Sequence, residues 1–107
     1  MDIIKENINA IRRLCDQHAV EELYVFGSVV TGGLVKESDI DLLVKFSGVE
    51  PSEYFDNYMD FKESLEDLFS RTVDLVEVQT VKNPILKRSI ERNKVHLYGR
   101  ESTQITV

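Results

Sequence analysis

YVFGSVVTGGLVKESDIDLLV, residues 24 to 44, is the stretch that decides how this chain folds. Tyr24-Val25-Phe26 is a β-favouring run that stops at Gly27-Ser28. Ile40, Leu42, Leu43 and Val44 make a second such run, with Asp39 and Asp41 at its mouth. Successive strand side chains point to opposite faces, so Asp39 and Asp41 share one face with their Cα atoms roughly 6.5 Å apart. Two carboxylates that close repel each other unless a proton or a cation intervenes. Magnesium, a hard ion that takes oxygen ligands, is the economical partner.

Gly27-Ser28, the ten residues Val29 to Ser38, and then Asp39-Ile40-Asp41 resemble the signature of the polymerase-beta-like nucleotidyltransferase superfamily. The short chain is similar to the minimal nucleotidyltransferase (MNT) branch, and within it to the antitoxins of HEPN–MNT toxin–antitoxin pairs. The resemblance runs from about Leu23 to Tyr98. A lone Asp-x-Asp would say little, and a lone Gly-Ser would be read as an ordinary strand-to-helix turn. Their spacing makes the signal specific.

The resemblance implies transfer of a nucleotide, AMP from ATP, to a hydroxyl acceptor, a tyrosine on a HEPN-type toxin that the modification silences. Two magnesium ions about 3.5–4 Å apart stabilise the attacking and leaving oxygens in such chemistry, and the site needs about three converging carboxylates. Asp39 and Asp41 supply two. The third is expected near the start of a neighbouring strand, on the same face. Asp74, in Thr72-Val73-Asp74-Leu75-Val76, resembles the family's third acid, which makes it the candidate general base and a metal ligand. Glu77, three residues on, belongs to the opposite face by alternation. Gly27 lets backbone approach a phosphate and Ser28 adds a hydroxyl donor, so by resemblance these two hold the β- and γ-phosphates. Many members resemble Gly-Ser-x-x-Arg-Gly, whereas this chain has Thr31 in the arginine position. Threonine has neither the permanent charge nor the planar fork of arginine, leaving Lys36 or a C-terminal cation to substitute.

The rest of the chain is consistent with one domain over residues 1–107. Hydrophobic content of 42% and charged content of 30% describe an ordinary globular composition. No apolar run approaches the roughly 18 residues of a membrane span, and the N-terminus lacks a secretory apolar region, so a cytoplasmic location is expected. The single Cys15 excludes an internal disulfide and a cysteine zinc cage. A net charge of −6 argues against general nucleic-acid binding. Glu37 to Glu77 carries twelve acids against Lys45, Lys62 and Arg71, while Lys82, Lys87, Arg88, Arg92, Lys94 and Arg100 make the C-terminal segment basic. That segment suits triphosphate or an acidic partner, although a solvated helix face accounts for most such charges.

Outward from the motif, the spacing of Ile4, Ile8, Ile11 and Cys15 predicts a helix over Asp2 to His18, with Cys15 in the core. Glu21-Glu22 is expected to precede a first strand at Leu23 to Phe26, and a second strand to cover about Ile40 to Phe46. Ser52 to Ser70 reads as the longest helix, its face Tyr58, Phe61, Leu65, Leu68 and Phe69, its acids solvated. Val73 to Val78 reads as a third strand. Asn83-Pro84 opens a short helix carrying Ile85, Leu86 and Ile90, and Val95 to Tyr98 reads as a fourth strand closed by Gly99. Helices alternating with strands indicate an α/β or α+β sandwich, a small mixed sheet flanked by helices. His18 and His96 read as structural residues. Two further functions stay open: an antitoxin that neutralises by binding alone, and a nucleotidyltransferase acting on a small-molecule hydroxyl.

Overall fold

The computed structural model describes residues 2–27, 30 and 39–99. Its elements run α1 (Asp2–Glu6), α2 (Ile8–Gln17), β1 (Val20–Phe26), β2 (Ile40–Phe46), α3 (Pro51–Phe69), β3 (Val73–Glu77), a 3₁₀ turn (Val78–Thr80), α4 (Pro84–Asn93) and β4 (Val95–Gly99). The four strands form a mixed sheet in the order β3-β2-β1-β4. β1 is antiparallel to β2 and β4, and β2 is parallel to β3. The small mixed sheet with flanking helices matches the expected fold. Among the described residues no helix is long and apolar enough to cross a membrane.

Strand alternation splits the apolar residues between two layers. On one face Leu23, Val25, Leu42, Val44 and Leu75 meet Ile4, Ile11 and Cys15 of the N-terminal helices and Phe61, Leu65 and Phe69 of α3. On the other, Tyr24 and Leu43 meet Val81 and Ile90, so α4 covers that face. Cys15 is a core residue as expected. Burial first, and then the Asp16 charge, push its thiol up to about 12.

Local chemistry moves several boundaries. The N-terminal helix is broken at Asn7, whose side-chain amide donates to the Ile3 carbonyl at 2.8 Å and competes with the backbone for it. β1 begins at Val20, three residues before the expected start, because Glu22 finds partners inside the sheet. The Tyr24 hydroxyl donates to its carboxylate at 2.7 Å, and Lys45 lies 4.0 Å away. The long helix takes Pro51 at its first turn and stops at Ser70, which adopts the left-handed conformation (φ 54°). Asn83 caps α4 by accepting from the Ile85 and Leu86 amides at 2.8 and 3.3 Å. Of the apolar side chains that helix carries, Ile90 is buried, whereas Ile85 is 78% and Leu86 44% exposed.

Two acids of α3 are tied down, contrary to the solvated face expected of them. Glu66 accepts the Val73 amide at 2.9 Å. Asp60 accepts from His18 Nε2 at 2.5 Å, while His18 Nδ1 donates to the Leu14 carbonyl at 2.7 Å. Both ring nitrogens therefore face oxygen partners. The ring also packs against Phe61 with centroids 5.3 Å apart. His18 is buried and Asp60 exposed, which separates the value of packing from that of the ion pair. His18→Ala is expected to cost about 2–4 kcal/mol through lost hydrogen bonds and packing, against about 0–1 kcal/mol for Asp60→Ala. Urea unfolding of both variants checks this; equal losses would refute the assignment of His18 as the pin between α2 and α3.

Candidate active site

The parallel register of β2 and β3 pairs Ile40 with Val73, Asp41 with Asp74 and Leu42 with Leu75. Residues in register on adjacent strands share a face, so the Asp41 and Asp74 side chains stand beside one another. Asp39 lies one residue before β2, on the same parity as Asp41, and is exposed. The charges of the other two reach Asp41, which is raised from the usual carboxylate range by its partial burial, then by the charge of Asp74, then by that of Asp39. The sequence pattern brought Asp39 and Asp41 together, and the sheet register adds Asp74.

Gly27 completes the corner. It follows Phe26, the residue of β1 opposite Asp41, and takes φ 77°. A Cβ placed there would lie 2.3 Å from Asp41 Oδ2, so glycine is required both by the turn and by the carboxylate packed over it. The Val30 amide returns to the Gly27 carbonyl at 3.0 Å, closing the turn. Ser28, expected to join Gly27 at the phosphates, lies outside the described residues, as do Thr31 and Lys36.

Glu77 was set on the opposite face, and its contacts agree: it accepts from the Tyr54 hydroxyl of α3 and from Gln79 at 3.1 Å. Burial raises it above the usual carboxylate range. His18 is bound to Asp60, and His96 holds the Gly99 carbonyl at 2.6 Å and the edge of the Tyr24 ring. Tyr58 of α3 donates to the Leu75 carbonyl at 2.5 Å, and its hydroxyl is raised by burial and then by the Asp74 charge. The sequence carried no signal for this contact or for that of Glu66, since both join helix side chains to backbone of a later strand.

Asp39, Asp41 and Asp74 offer an all-oxygen donor set of the kind hard divalent cations take. Among the described residues, no three His, Cys, Asp or Glu side chains close into a ready metal cage. The acids share a face, and the charges of Asp74 and Asp39 both reach Asp41.

The fold finds counterparts in known proteins. The family model described as polymerase beta, nucleotidyltransferase matches residues 9–103. The chain belongs to the polymerase beta nucleotidyltransferase family. Protein adenylyltransferase MntA of Thermococcus cleftensis is 37% identical over 76 residues, 71% of this chain and 74% of that protein. A solved structure provisionally assigned as a minimal nucleotidyltransferase is 30% identical, with TM-score 0.71, over 88% of this chain and 92% of that one. A tri-AMPylated Shewanella oneidensis HEPN toxin in complex with MNT antitoxin matches with TM-score 0.62 at 20% identity, over 90% of this chain and 72% of that one. At that identity the likeness concerns the fold. As a family member the chain is a nucleotidyltransferase.

Because Asp41 is raised in the folded state, its ionisation opposes folding. The penalty grows as pH climbs from the ordinary carboxylate range through the raised value, and is complete above it. In metal-free buffer at pH 7, Asp41→Asn is expected to melt above the parent, by about 4–8 °C for each kcal/mol relieved in a domain of this size. Thermal melts should show the gap closing as pH falls toward the ordinary range; a variant less stable at every pH contradicts the assignment. Gly27→Ala, by contrast, should lose about 1–2 kcal/mol from the left-handed backbone alone.

Proposed function

We propose that this chain is an antitoxin that transfers AMP from ATP to a hydroxyl, a tyrosine, of a HEPN-type toxin partner. The observation that carries the reading is the Asp41–Asp74 register pair with Asp39 in its field, next to a glycine turn packed on Asp41. A relative named protein adenylyltransferase and a structural neighbour titled as an AMPylated HEPN toxin with its MNT antitoxin support the substrate and the partner.

In the proposed reaction the acceptor oxygen attacks the α-phosphorus of ATP and forms the new P–O bond. The bond to the bridging oxygen breaks, and pyrophosphate leaves with that electron pair. Asp74, exposed at the entry of β3, receives the acceptor proton on its carboxylate. Asp39, Asp41 and Asp74 would hold magnesium, whose chemistry is to neutralise charge on the reacting phosphate oxygens. Gly27 leaves room for phosphate backbone contacts, and Ser28 is assigned to the β- and γ-phosphates on its motif position. Bare triphosphate would meet three like charges there, so the site favours a nucleotide whose charge is offset by divalent cations.

A second reading has one residue in its favour. Thr31 replaces the arginine common in the family, which weakens triphosphate grip and favours neutralisation by binding alone. Intact mass of a co-expressed HEPN-type neighbour separates the two. With the parent chain an AMP-sized increment is expected, and with the Asp39→Asn/Asp41→Asn double variant none. No increment in either case, with the proteins still bound, would replace transfer by steric neutralisation.

A further inference from the structure

β3 is an edge strand, with β2 as its neighbour on the inner side. The Thr72 carbonyl accepts the Ile40 amide at 3.0 Å, so alternation turns the backbone of Asp74 toward β2 and that of Val73 and Leu75 outward. Outward-facing groups of an edge strand ordinarily meet water or another strand. Here two of those groups are taken by α3. The Val73 amide donates to Glu66 Oε2 at 2.9 Å, and the Leu75 carbonyl accepts from the Tyr58 hydroxyl at 2.5 Å. Val73 and Leu75 are 1% and 4% exposed, so water is a poor substitute for either partner.

The two bonds flank Asp74 on either side along the chain. We propose that Glu66 and Tyr58 are positioning residues for Asp74: they clasp the outer edge of β3 and hold its carboxylate beside Asp41. The proposal rests on the role given to Asp74 above. Glu66 is well placed to act as an anchor, because its own carbonyl accepts the Ser70 and Arg71 amides at the end of α3, the latter at 3.4 Å. A side chain rooted at the junction of helix and strand moves little relative to either. It is also half-buried, whereas Glu53, Asp56, Glu63 and Asp67 on the same helix are exposed. Tyr58 grips the strand two residues beyond Val73, so the five-residue strand is held at two points. Loss of either bond frees β3 to tilt about its pairing with β2, and a displacement of about 1 Å at a reacting group costs on the order of 10²-fold in rate.

The experiment uses the full chain, ATP and the co-expressed HEPN-type protein as acceptor. Variants are Glu66→Ala, Glu66→Gln, Tyr58→Phe and Asp74→Asn, with Leu14→Ala on α2 as a destabilised control remote from β3. Glu66→Ala and Tyr58→Phe are expected to lower kcat by about 10-fold or more, with KM for ATP within about 2-fold of the parent. Glu66→Gln keeps an oxygen acceptor for the Val73 amide and should recover most of the rate. Hydrogen exchange at the Val73 amide should accelerate in Glu66→Ala and be restored in Glu66→Gln. Parental kcat in both Glu66→Ala and Tyr58→Phe, with Asp74→Asn inactive, would overturn the clasp and leave the site reading intact. Glu66→Gln as slow as Glu66→Ala, or Leu14→Ala equally slow, would also overturn it. Full activity in Asp74→Asn, or no transfer by the parent, would remove the site reading and the clasp together.

Discussion

Parallel pairing of β2 with β3 sets two carboxylates side by side, and the surrounding structure bears the resulting repulsion. Asp41 is partly withdrawn from water, which denies it the screening that would make a like-charged neighbour harmless. Such an arrangement is kept at a site and removed elsewhere, because a single amide substitution relieves it. The sheet has the means to hold it. Its central strands β1 and β2 are the most deeply buried, with Leu23, Val25, Leu42, Leu43 and Val44 at or near zero exposure. The acids stand where the central strand emerges from that core, so rigidity below supports repulsion above.

The two faces of the sheet divide the work. The face under α2 and α3 carries the larger apolar cluster, while α4 covers the middle of the other with a smaller one. Asp41 and Asp74 belong to the second face by alternation with Leu43 and Val76. Of the basic residues of the C-terminal segment, Lys82, Lys87, Arg88, Arg92 and Lys94 fall on and beside α4, which spans that same face, while Arg100 lies outside the described residues. Lys94 is turned inward there, over the Tyr24 ring at 4.4 Å and against Glu91 at 3.1 Å. It is therefore spent on packing, and exposed Arg88 and Arg92 on the helix, with Lys82 just before it, carry the outward charge.

Much of this was legible in the sequence, for identifiable reasons. β2 and α3 were found to within a residue because their apolar periods are unbroken, and Asp39-Ile40-Asp41 fixed a shared face by spacing alone. Asp74 was found through resemblance. Its adjacency to Asp41 is a property of strand order and register, which no local pattern encodes. The break at Asn7 was missed since the apolar stripe of Ile4, Ile8 and Ile11 runs through it and the interruption is made by one side-chain amide. Asp60 and Glu66 were read as surface acids because charge alone signals water; the partner of Asp60, His18, is 42 residues away, and that of Glu66 is a backbone amide of the following strand. Gly27 was assigned to phosphates by motif, and what the fold adds is its left-handed backbone and the Asp41 carboxylate packed close over it. Ser28 and Thr31 lie outside the described residues, so the phosphate side of the motif rests on sequence.

Cys15 has a use that its chemistry makes available. Its sulfur is fully buried among the residues joining α2 to the sheet, and the thiol is held far from ionisation at neutral pH. Alkylating reagents attack thiolate, so the native chain is doubly shielded, by access and by protonation. Only molecules in which α2 has lifted from the sheet are consumed. The lone thiol thus serves as a timer for the opening of the helical layer, read without any engineered label and blind to events at the carboxylate end.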